Sequence, residues 1–514
     1  MATRQNLSRK GKPDSSRAHA RPSASRRVAF EILLRVETEA SFASELLNGP
    51  LTAEMEERDA SLATDLVMGT LRWQAPLDFL ARQFAHRWES LDPEVRVALR
   101  MGLYQLRFLC RVPGRMPARA AIYETVEIVK AAGKRSAAGL VNAVLRRSEE
   151  SASRSQESEG GRQKLEVRSQ KLEEVQANAF GDLASLRPAA MPEMEWLGIE
   201  HSHPAWMLER WIARSGREAA LELACANNQA PATFLRWNLA ALAGDEIEKE
   251  LERQGIALRP GNLLITSRAL AHGNITRTNA WRRGDVVVQD EASQAVAYLL
   301  DVNEGQRVLD LCAAPGNKTA QLAAQAGKRG WIVACDIHLH RLHRLKQMAA
   351  IPQESNVQRM VLDGERPLPF GASFDRVLVD APCSGTGTLR RHPEIKWRLK
   401  PTDIAILAEK QLRLLHQAAS VLAPGGRMVY SVCSLEDEEG RGAAEKFLAS
   451  HAEFRLVPLR EDAARLRAFF QPAVSAILDG DYFSTSPARG GCDGFFAAIF
   501  VKDSNHIDNG CVPL

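Results

Sequence analysis

Apolar residues recur at three-to-four spacing through residues 27–147, in RRVAFEILLRV, ASLATDLVMGTLRW, VRVALRMGLYQLRFL, AAIYETVEIVKAAG and GLVNAVLRR. That period puts them on one face of a helix, and Gly133 stands where a helix C-terminus stops. The segment reads as an all-α domain. The pattern then breaks. SEESASRSQESEGG is polar and low in complexity, and RQKLEV and RSQKLEEV form a near-repeat. Residues 148–194 therefore read as a linker or insertion with transient helix and no chemistry. HPAWMLERWIARSG predicts a helix that starts near Pro204 and stops at Gly216. ATFLRWN and ALRPGNLLITS read as short strands around a helix near 244–254, and a small α+β module spans 195–280.

Beyond residue 281 the period changes. RVLDLC (307–312), WIVACD (331–336), VQRMVL (357–362), FDRVLVD (374–380) and RMVYSVC (427–433) are short, β-branched and almost continuously apolar, as buried parallel strands are. Helical stretches such as NKTAQLAAQAG, HLHRLHRLKQMAA and TDIAILAEKQLRLLHQAASVL separate most of them. Strand–helix alternation implies right-handed crossovers and one doubly wound α/β sheet over residues 281–503. A basic tail (1–26) and a C-terminal tail (504–514) flank the folded parts.

Composition adds little except at the N-terminus. The chain has 514 residues and a formal net charge of +4, compatible with nucleic acid without demanding it. Arg4, Arg9, Lys10, Lys12, Arg17, Arg21, Arg26 and Arg27 face the single acid Asp14 in the first 27 residues. This segment is a disordered tail, either solubilising or grazing phosphates. No apolar run approaches the ~20 residues of a membrane helix, and no apolar segment follows the basic residues as in a signal peptide. Eight cysteines show no CxxC pair, so neither a metal site nor a disulfide framework is expected, and a reducing cytoplasm is.

Ligands of doubly wound sheets sit beyond the C-terminal ends of the strands. The first strand leads into LDLCAAPGNKT, where the small loop Ala313-Ala314-Pro315-Gly316 opens a helix near Asn317 and offers N–H groups to an anionic group. The second strand ends in Asp336, placed for ribose hydroxyls, and the third in Asp363 before Gly364. The loop is neither a dinucleotide fingerprint nor a P-loop, and S-adenosylmethionine fits the set. Each acid alone could simply cap the next helix. The fourth strand ends in Asp380-Ala381-Pro382-Cys383 and a later one in Cys433, so both thiols enter the same crevice. A lone buried cysteine is usually a small hydrophobe, the reading for Cys335 and Cys312. Two convergent thiols beside a carboxylate match methylation of cytosine C5, where a thiolate adds to C6 and a second group helps it leave.

LDLCAAPGNKT, VLVDAPCSGTGTLRRHPEIKW, VYSVCSLEDEEG, GCDGFFAAIF and QDEASQ resemble the bacterial Sun/Fmu-type RNA cytosine-5 methyltransferases. RDASLATDLVMGTLRW, LRMGLYQLRFL and VNAVLRR resemble the NusB-like RNA-binding domain of the branch that modifies 16S ribosomal RNA. The resemblance implies a NusB-like domain, a small RNA-binding module and a Rossmann-like methyltransferase domain. It implies Cys433 as the nucleophile and Cys383 as the group that assists proton loss and release. Cys312, Ala313, Ala314, Pro315, Gly316, Asn317 and Lys318 would hold the methionine part of the cofactor. Asp336 would bind ribose, Asp363 would lie near adenine, and Asp380 would lie at the seam with the base. The chain departs from the common pattern at Asn317, Val432 and Gly440. The implied partner is 16S ribosomal RNA before full subunit assembly, met by a monomer that needs neither metal nor membrane. Transfer RNA as substrate, or a non-catalytic antitermination-like factor, are the other readings. HLHRLHR (338–344) reads as a solvated or RNA-facing surface. Arg390, Arg391, Lys396 and Arg398, around Trp397, read as a phosphate-contacting stretch or a plain charged loop.

Overall fold

A computed structural model describes residues 22–112, 115–159, 179–180, 183–238, 244–347 and 356–504. Most of the basic tail, residues 160–178 and 181–182 of the expected linker, Cys511 and nearly all of the C-terminal tail lie outside these residues. The chain divides into two compact units, Met1–Ala190 and Met191–Leu514.

The first unit is all-α among its described residues. Its main helices are Ala24–Glu39, Glu57–Arg72, Gln74–Phe84, Pro93–Tyr104, Ala118–Ala131 and Ala138–Glu159. Pro93–Tyr104 runs on through a wider π-turn, Gln105–Leu109. The apolar stripes meet in a core around Ile32, Leu66 and Leu77, none of them solvent-exposed. The last helix continues to Glu159, well into the segment expected as linker. Its Glu, Arg, Gln and Ala residues favour helix and no Gly or Pro interrupts it between Gly139 and Gly160, which the apolar-stripe criterion undervalued.

The second unit opens with helices Glu193–Glu200, Ala205–Ser215 and Arg217–Asn227. Strands β1 (Phe234–Trp237), β2 (Ala257–Pro260), β3 (Ser267–His272) and β4 (Val286–Val288) follow. They form an antiparallel sheet of order β2-β3-β1-β4. The module thus reaches past residue 280, because the apolar triplet of β4 pairs with β1 rather than entering the larger sheet.

The larger sheet contains β5 (Arg307–Asp310), β6 (Trp331–Asp336), β7 (Asn356–Val361), β8 (Phe374–Asp380), β9 (Leu422–Val432), β10 (Phe454–Leu456), β11 (Phe483–Ser484) and β12 (Phe496–Lys502). Its order is β10-β12-β9-β8-β5-β6-β7, with β11 also on β12. β5 to β9 are parallel, and β12 returns antiparallel on β9. Alternate residues feed two cores. Leu309, Val333, Val377 and Tyr430 face one side, and Val308, Ile332, Leu378 and Val429 the other. VQRMVL is the exception to the buried-strand expectation: β7 is the sheet edge and most of it is exposed. The strand order reverses between β5 and β8, so a crevice opens above Asp310 and Asp380.

Candidate active site

β5 delivers Asp310 to the floor of that crevice, 1% exposed. Thr319 Oγ1 donates to its Oδ2 at 2.7 Å, while Oδ1 has no partner. Burial pushes this carboxyl up to about 7, the Thr319 hydroxyl and Lys318 charge oppose the rise, and the charges of Asp380 and Asp336 add to it. The chain then turns through the small-residue loop. Leu311 N–H donates to Leu378 O and Ala313 N–H to Cys335 O, which ties the loop to β8 and β6. Gly316 takes φ +117°, a left-handed conformation open to glycine, and launches the helix Asn317–Ala326.

Asp336, 8% exposed, accepts from His338 N–H at 2.8 Å. Asp363 accepts from Glu365 N–H at 3.1 Å and pairs with Arg366. A cavity of about 190 Å³ is lined by Cys312, Ala314, Asp336, Asp363 and Asp380 together with Pro382. Five candidates thus share one pocket. Ala313, Pro315, Gly316, Asn317 and Lys318 do not line it and instead shape the loop and helix behind it. Burial pushes the Cys312 thiol well up, so it is a neutral wall group.

Pro382 leads from this pocket to the thiols. Cys383 Sγ lies 3.3 Å from Cys433 Sγ, across neighbouring strand ends. The hydrogen bond with Cys433 raises Cys383 well above the usual thiol range, burial adds to it, and so does the charge of Glu439. Cys383 therefore holds its proton firmly. Asp380 joins pocket and thiols: Lys318 Nζ reaches its Oδ2 and Ser431 Oγ its Oδ1, each at 2.7 Å.

Two groups here escaped the sequence reading. Asp310 ends β5 as Asp336 ends β6, so the strand-end rule could have found it. Glu439 sits in the acidic run LEDEEG and is fully buried. It accepts from Ser384 N–H at 2.8 Å, from Gln411 Nε2 at 3.0 Å, and from the hydroxyls of Ser384 and Ser434. Backbone contacts close the site. Gly387 N–H donates to Cys433 O at 3.0 Å, and Gly494 N–H to Gly387 O at 2.8 Å. A Cβ on Gly387 would collide with the Gly494 carbonyl, so the two segments meet backbone to backbone.

The basic stretch after Cys383 is corrected by the structure. Arg390 and Arg391 pair with Asp493, and Arg391 also with Asp290. Lys396 is fully buried and donates to Ser202 O and Asn228 Oδ1. These side chains fasten the preceding helices and the loop before β12, because each meets an internal acceptor before it could meet solvent. By contrast, His338, His340 and His343 are exposed, and no metal-ligating cluster occurs among the described residues. Nor is any described helix long and apolar enough to cross a membrane.

The family model for 16S rRNA methyltransferase RsmB/F matches residues 297–501. The NusB family model matches 23–150, and that of an RsmF/B-like ferredoxin-like domain matches 203–270. The chain is 30% identical over 482 residues to the probable ribosomal RNA small subunit methyltransferase B of Bacillus subtilis, covering 93% of this chain and 98% of that one. It is 34% identical over 471 residues to the ribosomal RNA small subunit methyltransferase B of Pseudomonas putida, covering 89% and 94%. The crystal structure of PH0851 has the same fold, with a TM-score of 0.72 at 24% identity over 94% of this chain and 99% of that one. A methyltransferase homolog from Pyrococcus horikoshii gives a TM-score of 0.51 at 25% identity, covering 61% and 99%. The orphaned acceptor of Asp310, the left-handed Gly316 and the acid-lined pocket fit S-adenosylmethionine, the cofactor of these methyltransferases. From its helical N-terminal unit to its doubly wound sheet, the chain belongs to the RsmB/F family of 16S rRNA methyltransferases.

Proposed function

We propose that the protein methylates C5 of a cytosine in 16S ribosomal RNA through a covalent bond between a cysteine and C6. The observation that carries this reading is the 3.3 Å approach of Cys383 and Cys433 beside the cofactor pocket. S-adenosylmethionine supplies an electrophilic methyl group. Within Cys312 to Lys318, Cys312 and Ala314 line the pocket and would hold its methionine end on the loop that the other five shape, while Asp336 would take the ribose and Asp363 would lie near the adenine.

The protein's own groups do the rest. Cys433 adds its sulfur to C6, which makes C5 nucleophilic toward the methyl group. Once that sulfur is bonded to carbon, it no longer pairs with the Cys383 thiol. The main cause that keeps Cys383 protonated is then gone. Cys383 loses its proton to water and takes the C5 proton as the Cys433–C6 bond breaks. Asp380, at the seam of the two sites, orients the base. The target must leave any stacked position first, which favours loop or single-stranded RNA.

The test is nucleoside analysis of 16S ribosomal RNA, and separately of transfer RNA, after incubation with enzyme and S-adenosylmethionine. The expected product is 5-methylcytidine in the ribosomal RNA alone. A methyl group on an exocyclic amine would overturn the mechanism, and 5-methylcytidine in transfer RNA alone would overturn the substrate.

A further inference from the structure

We propose that Glu439 is the positioning residue that registers the two thiols against each other, through one carboxylate that grips both Cys–Ser turns. The inference deepens the reading above and rests on it. Each reactive cysteine precedes a serine. Ser384, after Cys383, gives Glu439 both its N–H and its hydroxyl. Ser434, after Cys433, donates its hydroxyl to the same carboxylate at 2.5 Å, and the two serine hydroxyls lie 3.0 Å apart. One side chain therefore fixes where both strands end.

The carboxylate is itself firmly held. Gln411, from the helix Pro401–Val421, donates to Oε1. Tyr430, from β9, donates to the Glu439 carbonyl and to Gln411 Oε1. The turn that carries Glu439 is pinned by Arg210 and Trp211, which both bond the neighbouring Glu436. All four donors to the Glu439 carboxylate are neutral, and no lysine or arginine pairs with it among the described residues. Its negative charge therefore acts on Cys383 without a paired cation. Glu439 and Tyr430 are the titratable groups facing Cys383 besides Cys433. A carboxylate so placed opposes ionisation of Cys383.

Glu439→Gln keeps the side-chain shape and removes the charge. Two readouts follow, of which the first uses no RNA. Limited alkylation with iodoacetamide, read by peptide mass spectrometry across pH 6 to 9, should label Cys433 in preference to Cys383 in the natural protein. In Glu439→Gln that preference should fall at least fivefold, with Cys383 labelled at lower pH than before. Methyl transfer should drop at least tenfold in kcat, with KM for RNA and affinity for S-adenosylmethionine within about twofold. Ser434→Ala, which removes one hydroxyl of the clamp, should shift the labelling the same way by a smaller factor. It serves as the test if Glu439→Gln fails to fold. Unchanged labelling and kcat in a folded variant would overturn the proposal. Labelling that shifts while Cys433→Ala still methylates would instead overturn the covalent mechanism and leave the clamp standing.

Discussion

Lys318 Nζ sits 2.7 Å from Asp380 Oδ2, joining the helix behind the cofactor loop to the strand end that carries the first thiol. The two side chains are only 11% and 28% exposed, and the carboxyls of Asp310 and Asp336 are close by. Lys318→Met leaves Asp380 without its cation among these acids. We expect a loss on the order of 1–3 kcal/mol, as for a charge-assisted hydrogen bond broken in a partly buried site. A thermal melt of the C-terminal unit measures it. Adding Asp380→Asn to the same chain should restore part of the loss. Strictly additive effects of the two changes would show that the pair does not interact.

The thiols should fail in different ways. Cys433→Ala should give neither methylated RNA nor a covalent complex. Cys383→Ala keeps the nucleophile and loses the group that resolves the intermediate, so it should accumulate an RNA–protein adduct that survives a denaturing gel. A trapped complex with Cys433→Ala, or none with Cys383→Ala where the natural enzyme is active, would reverse or abolish these roles.

Asp310 gives a pH dependence whose sign is fixed by its raised carboxyl. Unfolded, it titrates near 3.8; folded, near 7. Between those values the folded form holds a proton that the unfolded form has lost. Stability from this group is therefore greatest below about pH 4 and declines as pH rises to about 7. The decline is at most about 1.4 kcal/mol per pH unit. Asp310→Asn should flatten the fall of the melting temperature across this window relative to the natural protein. Parallel curves for the two proteins would refute the assignment.

Division of labour between the two units predicts the effect of removing the first. A chain starting at Met191 keeps every residue assigned to chemistry. Calorimetry should find its affinity for S-adenosylmethionine unchanged, while its KM for 16S ribosomal RNA should rise tenfold or more. Equal activity of the two forms on the same RNA would leave the helical unit without a role in substrate selection.

The crevice was legible because its chemistry follows a positional rule. Asp336 and Asp380 close strands, Asp363 and Cys383 lie within three residues of a strand end, and the strands announce themselves by short apolar runs. What stayed hidden depended on the third dimension. Glu439 lies in a run of acids that looks solvated, and only folding shows it buried between two serines. Arg390, Arg391 and Lys396 look like a phosphate-binding stretch because their acceptors, Asp493, Asp290, Ser202 and Asn228, lie a hundred or more residues away. The apolar triplet of β4 lies beyond the boundary expected at 280, and only pairing with β1 assigns it to the smaller sheet. β7 shows the converse, since an apolar sequence cannot announce that its strand ends a sheet.

The backbone crossing of Gly387 and Gly494 bears on the order in which the enzyme comes into being. Cys433 is held by Gly387, which is held by Gly494, and Gly494 precedes β12, the last strand of the sheet. A chain made from its N-terminus carries Cys433 before it carries the segment that locks it. The thiol pair is therefore held in register only once synthesis has passed Gly494.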